Sequence, residues 1–177
     1  MRKHLFTLLV SLSFFSLHTV KAVEKRDLVI QPSLNLGNYN ISGISYGSGN
    51  GIGVTANAEY AVHDYVSVGG FVRFNHVSIK GSGFNYNRIG FGARGVFHFW
   101  QLIDDKGSKD LKSEKIDFYV PIHLGYGIYS GKYATGGDFN AGVGLGIRYY
   151  FNPSIGISFE TGGMELSYAK FGVAIKL

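Results

Sequence analysis

His76 and Ser78 are the pair best suited by type and spacing to do chemistry. Two apart on an extended chain, they fall on one face, where a histidine can take the proton of a serine nucleophile. An acid must orient such a base, and no Asp or Glu occurs between Asp64 and Asp104. His98 and His123 are placed to face a common interior from neighbouring strands; a metal site needs at least a third ligand, so hydrogen-bonded interior histidines are the expectation. Glu59 and Glu160 match a glycosidase only in being two carboxylates, and ion pairing with arginine is the expected use. The glycine-rich stretch 47–53 follows no strand-to-helix context, which excludes a phosphate cradle and leaves a surface loop. The absence of cysteine excludes disulfides and zinc thiolates. No catalytic, cofactor-binding or metal-binding residue is therefore assigned.

The elements that position these side chains have a period of two. Phe139, Ala141, Val143, Leu145, Ile147, Tyr149 and Phe151 alternate with small or polar residues, and Ile116 to Ile128 and Ile89 to Phe99 repeat the pattern. Turn signals divide the chain into eight strands, at about 27–39, 51–62, 65–77, 86–99, 116–129, 138–151, 154–161 and 165–177. Tight joins at 63–64 and 152–153 contrast with Gly/Ser/Asn/Tyr-rich loops at 40–50 and 130–137, and the charged segment 101–115 reads as solvated. The pattern predicts an all-β, eight-stranded antiparallel up-and-down transmembrane β-barrel. Pro32 and Pro121 lie inside strands, where each marks a bulge or a lapse in the ladder.

Composition decides which face points out. Only 16% of the 177 residues are charged, against roughly 25% in soluble domains. The non-apolar face is mostly Gly, Ser, Asn and Tyr, with isolated Arg73, Arg88, Arg94, Arg148, Lys170, Glu59 and Glu160. Residues that small suit a narrow lumen, where glycines make room for a few long charges and Asp117, His98, His123, Asn57, Gln31 and Asn35 add partners. Tyr60, Tyr65, Phe99, Trp100, Phe118, Tyr149 and Phe151 fall at one set of strand ends. Tyr39, Phe74, Tyr86, Tyr126, Tyr129 and Phe139 fall nearer the other, the arrangement of two aromatic girdles.

Residues 1–22 read as a secretory signal peptide: Arg2 and Lys3, an apolar stretch over 5–17, and the small side chains of Val20 and Ala22. Residues 23–177 are then a single barrel domain. Cleavage removes three of the 17 bases, leaving 14 against 12 acids, with no cationic face of the kind that binds nucleic acid.

Gly95-Val96-Phe97-His98-Phe99, Lys115-Ile116-Asp117-Phe118-Tyr119, Gly146-Ile147-Arg148-Tyr149-Tyr150-Phe151-Asn152 and Leu166-Ser167-Tyr168-Ala169-Lys170-Phe171-Gly172-Val173 carry a family likeness. With them the chain resembles the small eight-stranded outer-membrane β-barrel proteins of Gram-negative bacteria, broadly OmpA/OmpX-like, and most of all the "outer membrane β-barrel domain" group. The resemblance implies location in the cell outer membrane with both termini periplasmic, contact with outer-membrane lipid and lipopolysaccharide, and biogenesis through the barrel-assembly machinery. It also implies a monomer without cofactors and a closing strand that ends in an aromatic residue, where this chain has Leu177. His76-Val77-Ser78 is similar to the His-x-Ser of lipid A 3-O-deacylases, but Ile79 stands where that family has Asn. The expected role is structural or surface-binding, with a lumen plugged by polar and charged residues. The alternatives are a narrow porin-like diffusion channel, a deacylase-like enzyme and a secreted soluble ligand-binding barrel.

Overall fold

The computed structural model describes residues 22–39, 49–79, 84–107, 111–131, 135–164 and 167–177. Eight strands follow in chain order: β1 Leu28–Tyr39, β2 Gly49–His63, β3 Val66–Ile79, β4 Phe84–Phe97, β5 Ile116–Gly131, β6 Thr135–Tyr150, β7 Ile155–Met164 and β8 Ser167–Lys176. Each pairs antiparallel with the next and β1 pairs with β8, closing an up-and-down barrel. Closure gives every strand two neighbours and leaves no unpaired sheet edge. All eight expected strands are present with bounds shifted by no more than three positions; the fourth, read as 86–99, ends at Phe97, and Phe99 opens a helix, while 165–166 lie outside the described residues. The reading of 1–22 as a signal peptide lies outside the described residues except for Ala22.

Alternation along each strand sets two faces. Ile122 is 57% exposed, Leu124 61%, Val143 56% and Leu145 59%, whereas Arg94, Arg148, Glu59 and Glu160 are fully buried or nearly so. The barrel is apolar outside and polar inside, the reverse of a soluble ligand-binding barrel. Tyr86 departs from the expected outer girdle: it shares the parity of Arg88 and Arg94 on β4 and is buried in the lumen.

Both strand prolines interrupt a ladder without shifting its register. On the β1–β8 seam the pairs run Ile30 with Ile175, then Ser33 with Gly172, skipping Gln31 and Pro32. Between β5 and β6 they run Tyr119 with Gly146, then Ile122 with Val143, skipping Val120 and Pro121. Missing proline amides account for both lapses.

The segment 101–115 is not simply solvated, as the sequence suggests. Phe99–Lys106 forms a short helix, α1, that buries Gln101 and lies against β5. Trp100 packs against Phe118 with ring centroids 4.7 Å apart and planes tilted by 60°, and donates to the Leu111 carbonyl at 3.1 Å. Asp104 accepts the amides of Leu111 and Ser113 at 2.7 and 3.2 Å, which folds the return strand-ward. Alternating charges along 104–115 conceal a helix that Trp100 anchors.

Lumen volume explains a pattern of glycines. A side chain at Gly146 would strike the ring of Tyr119, its partner across β5–β6, and one at Gly127 would strike the guanidinium of Arg88. Gly146→Leu is expected to destabilise the folded barrel by about 1–3 kcal/mol through overpacking against Tyr119. Denaturant midpoints in detergent micelles measure this; an unchanged midpoint would show that the lumen has spare room at that level.

Candidate functional site: a lumenal chain of charges

The period-two reading places Glu59, Arg73, Arg88, Arg94, Arg148, Glu160 and Lys170 in the lumen, and all seven are buried there. What the sequence does not give is their pairing. Lys170 Nζ lies 3.4 Å from Glu160 Oε2. Glu160 also pairs with Arg94 through Nη2, and Arg94 Nε donates to Glu59 Oε1 at 2.5 Å. Arg148 Nη2 reaches Glu59 Oε2 at 2.7 Å, and its Nη1 reaches Asp117 Oδ2 at 3.4 Å. Asp117 in turn binds His98 Nδ1 at 2.9 Å, and His98 Nε2 sits 2.9 Å from Ser67 Oγ.

These contacts form one chain of alternating sign that crosses the lumen. Gln31 closes it on the remaining strand: its Nε2 donates to Glu160 Oε1 at 3.0 Å, and its Oε1 accepts from Arg148 Nε at 2.9 Å. Tyr119 adds a hydroxyl bond to Glu160 Oε1 at 2.8 Å, while the Arg148 guanidinium lies 4.1 Å above its ring. Buried carboxylates and guanidiniums are tolerated only with such saturation of charge and hydrogen bonds.

Beyond Lys170, toward the loop-bearing end, the lumen is lined by amides and hydroxyls. Asn35 Nδ2 donates to Thr55 Oγ1 at 2.8 Å and to Asn75 Oδ1 at 3.1 Å, and Arg73 Nε donates to Thr55 Oγ1 at 3.1 Å. Arg88 pairs with Asp138 at 2.7 Å. Ser33 and Ser158 are both in register with Gly172, on the turn side of Lys170, and Asn57 is in register with Gln31. The two hydroxyls and both amide atoms of Asn57 are buried without a hydrogen bond among the described residues, so these points of the wall suit water.

The histidines divide. His98 and His123 both face the lumen, as expected, but His123 Nε2 bonds Arg94 Nη1 at 2.7 Å and shares no partner with His98. Among the described residues no three metal-ligating side chains converge. His76 and Ser78 lie on one face, also as expected, and that face is the exterior. His76 Nδ1 meets Asn87 Oδ1 at 2.8 Å, so an amide stands where a catalytic base would meet an acid.

Ser67, His98 and Asp117 are the arrangement that sequence reading missed. Their order of hydrogen bonds is that of an acyl-transfer triad. Here all three are buried, and Asp117 is also held by Arg148, so the trio ties β3, the end of β4 and β5 together within the lumenal chain. Only parity could have signalled it, since the residues stand 31 and 19 positions apart.

No family model matches the chain, and no curated protein matches it. Solved structures do. The Neisserial surface protein A superposes with a TM-score of 0.53 at 15% identity, covering 85% of this chain and 97% of that one. Ail, the attachment invasion locus protein of Yersinia pestis, gives 0.50 at 14%, covering 86% and 95%. The outer membrane protein OprG of Pseudomonas aeruginosa gives 0.50 at 10%, covering 90% and 98%.

Glu59 is the hub of the chain, accepting from two buried guanidiniums. Glu59→Met is expected to cost about 3–5 kcal/mol, because it leaves both under-compensated, whereas Glu59→Met with Arg148→Met removes the mismatch and costs less. Denaturant midpoints of the two variants decide it; equal loss in both would mean that Arg148 draws its compensation elsewhere. At that similarity the solved structures share this chain's fold: a small, closed, eight-stranded antiparallel barrel.

Proposed function

We propose that the protein is an integral outer-membrane β-barrel of a Gram-negative envelope with a structural or surface-binding role and a lumen closed by its charge chain. The observation that carries this reading is the outward apolar wall. A continuous surface of Leu, Ile, Val and Phe on every strand would be an aggregation hazard in water, and it matches the demand of a lipid interior. Closure satisfies the strand amides in that setting, which an open sheet cannot do. The membrane neighbourhood of the structurally similar proteins supports the same location.

On this reading the termini, the 64–65 turn, α1 and the 151–154 turn face the periplasm. The loops joining β1–β2, β3–β4, β5–β6 and β7–β8 face outward and supply the contact surface. Export uses residues 1–22 as a cleaved signal, and folding uses the barrel-assembly machinery. The protein acts as a monomer in contact with outer-membrane lipid and lipopolysaccharide, and needs no cofactor. A second reading, a narrow diffusion channel, draws on the Ser33, Ser158 and Asn57 atoms that call for water. Against it stands the Arg94–Glu59–Arg148 layer, where a permeating ion would have to displace a buried pair.

The folded protein, taken from outer membranes, is expected to run faster in SDS before boiling than after, to stay in carbonate-washed membranes, and to give no reproducible unitary current in a planar bilayer. A soluble, unshifted protein would overturn the barrel-in-membrane reading, and discrete conductance steps would favour the channel. The role proposed is also non-enzymatic: Ser78→Ala leaves the acyl pattern of lipid A as the wild type leaves it, and a difference in that pattern by mass spectrometry would establish the deacylase.

A further inference from the structure

Unmade hydrogen bonds gather at the seam that closes the barrel. Ser33 on β1, Gly172 on β8 and Ser158 on β7 stand side by side in one ladder row facing the lumen. The two serines are only 7% and 5% exposed, and neither hydroxyl has a hydrogen-bond partner among the described residues. They converge on one place: Ser33 Oγ, Ser158 Oγ and the Pro32 carbonyl oxygen all lie within 2.9 Å of the point that a Cβ on Gly172 would occupy. The β1–β8 pairing skips Pro32, so this carbonyl stands where the ladder lapses.

A roof covers the same point. Gln31 stands two residues before Ser33 on β1 and Glu160 two after Ser158 on β7, at opposite corners of the row. The 3.0 Å bond from Gln31 Nε2 to Glu160 Oε1 therefore crosses the lumenal face of β8 above Gly172. Lys170, two residues along β8, bounds the place on one side with its Nζ 3.4 Å from Glu160 Oε2. Arg148, in register with Ser158, bounds it on another and donates from Nε to Gln31 Oε1 at 2.9 Å. The chemistry of these groups decides what fits. A carbonyl only accepts, and the Glu160 carboxylate repels negative charge, which argues against an anion. Arg94 and Lys170 already pair with Glu160, which argues against a further cation. Water meets every demand: it accepts from both hydroxyls and donates to the carbonyl, the usual number of about three hydrogen bonds for a buried water. Two bonds through one bridging oxygen reach roughly 5.5 Å, which covers the separation that the shared point allows the hydroxyls.

We propose that Ser33, Ser158 and the Pro32 carbonyl hold one resident water molecule over Gly172, beneath the Gln31–Glu160 bond. The water links β1 to β7 across β8 where the ladder lapses, and it exchanges slowly because the roof encloses it. The site rests on the closed lumen proposed above and adds to it a single, fixed molecule at the seam. Gly172 is then the floor of a binding site, where a methyl group would take the place of the water.

The test uses the folded, purified barrel in detergent micelles, with water itself as the probe. Nuclear Overhauser contacts from water to the β-protons of Ser33 and Ser158 locate the molecule, and oxygen-17 relaxation dispersion counts the long-lived waters of each barrel. The wild type is expected to show both contacts. Gly172→Ala puts a methyl where the three oxygens converge, and Ser33→Ala with Ser158→Ala removes two of the three partners; each is expected to lose one long-lived water. Gly95→Ala, whose Cβ meets open space, leaves the count unchanged. Heat-dependent gel mobility establishes that each variant is folded, and the serine pair decides the matter should Gly172→Ala fail to fold. Absence of the water contacts in the wild type, or an unchanged count in the serine pair, overturns the site. Bromide density between the two serines, in crystals grown with bromide, overturns it too by making the occupant an anion. Rapid exchange of water at the Asn57 amide as well as at both serines defeats the closed lumen itself, whereas slow exchange at Asn57 with no contact at the serines defeats only the site.

Discussion

A closed sheet with an apolar exterior has one place for its charges, and the rest of this structure follows from how they are paired there. The chain from Lys170 through Glu160, Arg94, Glu59 and Arg148 to Asp117 alternates in sign, continues through His98 to Ser67 and so draws on β2 through β8, and Gln31 adds β1. Sliding any strand by one residue would turn its lumenal charge, or on β1 the Gln31 amide, out to the apolar face. Sliding it by two would move that charge some 7 Å along the barrel, beyond reach of its partner. The charges and their neutral partners Gln31 and Ser67 thus specify the register of all eight strands together, beyond what apolar alternation alone would do.

The cost of this device is volume. An eight-stranded lumen is just wide enough for side chains to fill it. Two guanidiniums, two glutamates and the Tyr119 ring fit at neighbouring levels because facing positions such as Gly146 lack a Cβ. The same substitution of glycine for bulk at Gly127 lets Arg88 lie along the wall and meet Asp138. Glycine abundance in this chain therefore belongs to packing in the lumen as much as to its loops.

The architecture was legible in the sequence because a period of two assigns each residue to a face with no further information. Glu59, Arg94, Arg148, Glu160 and Lys170 are lumenal by parity alone. Their partners were not legible, because pairing depends on the stagger between strands, which the turns and the closing seam set together. Tyr86 shows parity outranking composition: an aromatic near a strand end suggested the girdle, while its spacing from Arg88 had already put it inside. The helix α1 escaped because eight residues carry little more than two turns of pattern, and its anchor, Trp100, lies at the edge of a strand-like run.

The two prolines show how side chains replace the ladder where it lapses. At the β1–β8 seam the backbone pairing skips Gln31 and Pro32, and between β5 and β6 it skips Val120 and Pro121. Each lapse lies at or beside a residue whose side chain crosses the lumen. Gln31 binds Glu160 and Arg148, on β7 and β6, and Tyr119 binds Glu160 on β7. Both donate to the same oxygen, Glu160 Oε1, at 3.0 and 2.8 Å. Hydrogen bonds to an ionised acceptor are worth roughly twice neutral ones, so two side-chain bonds to one carboxylate offset ladder bonds missing at two separate seams. Pro32 can then face outward, since the strand that carries it is held from the inside.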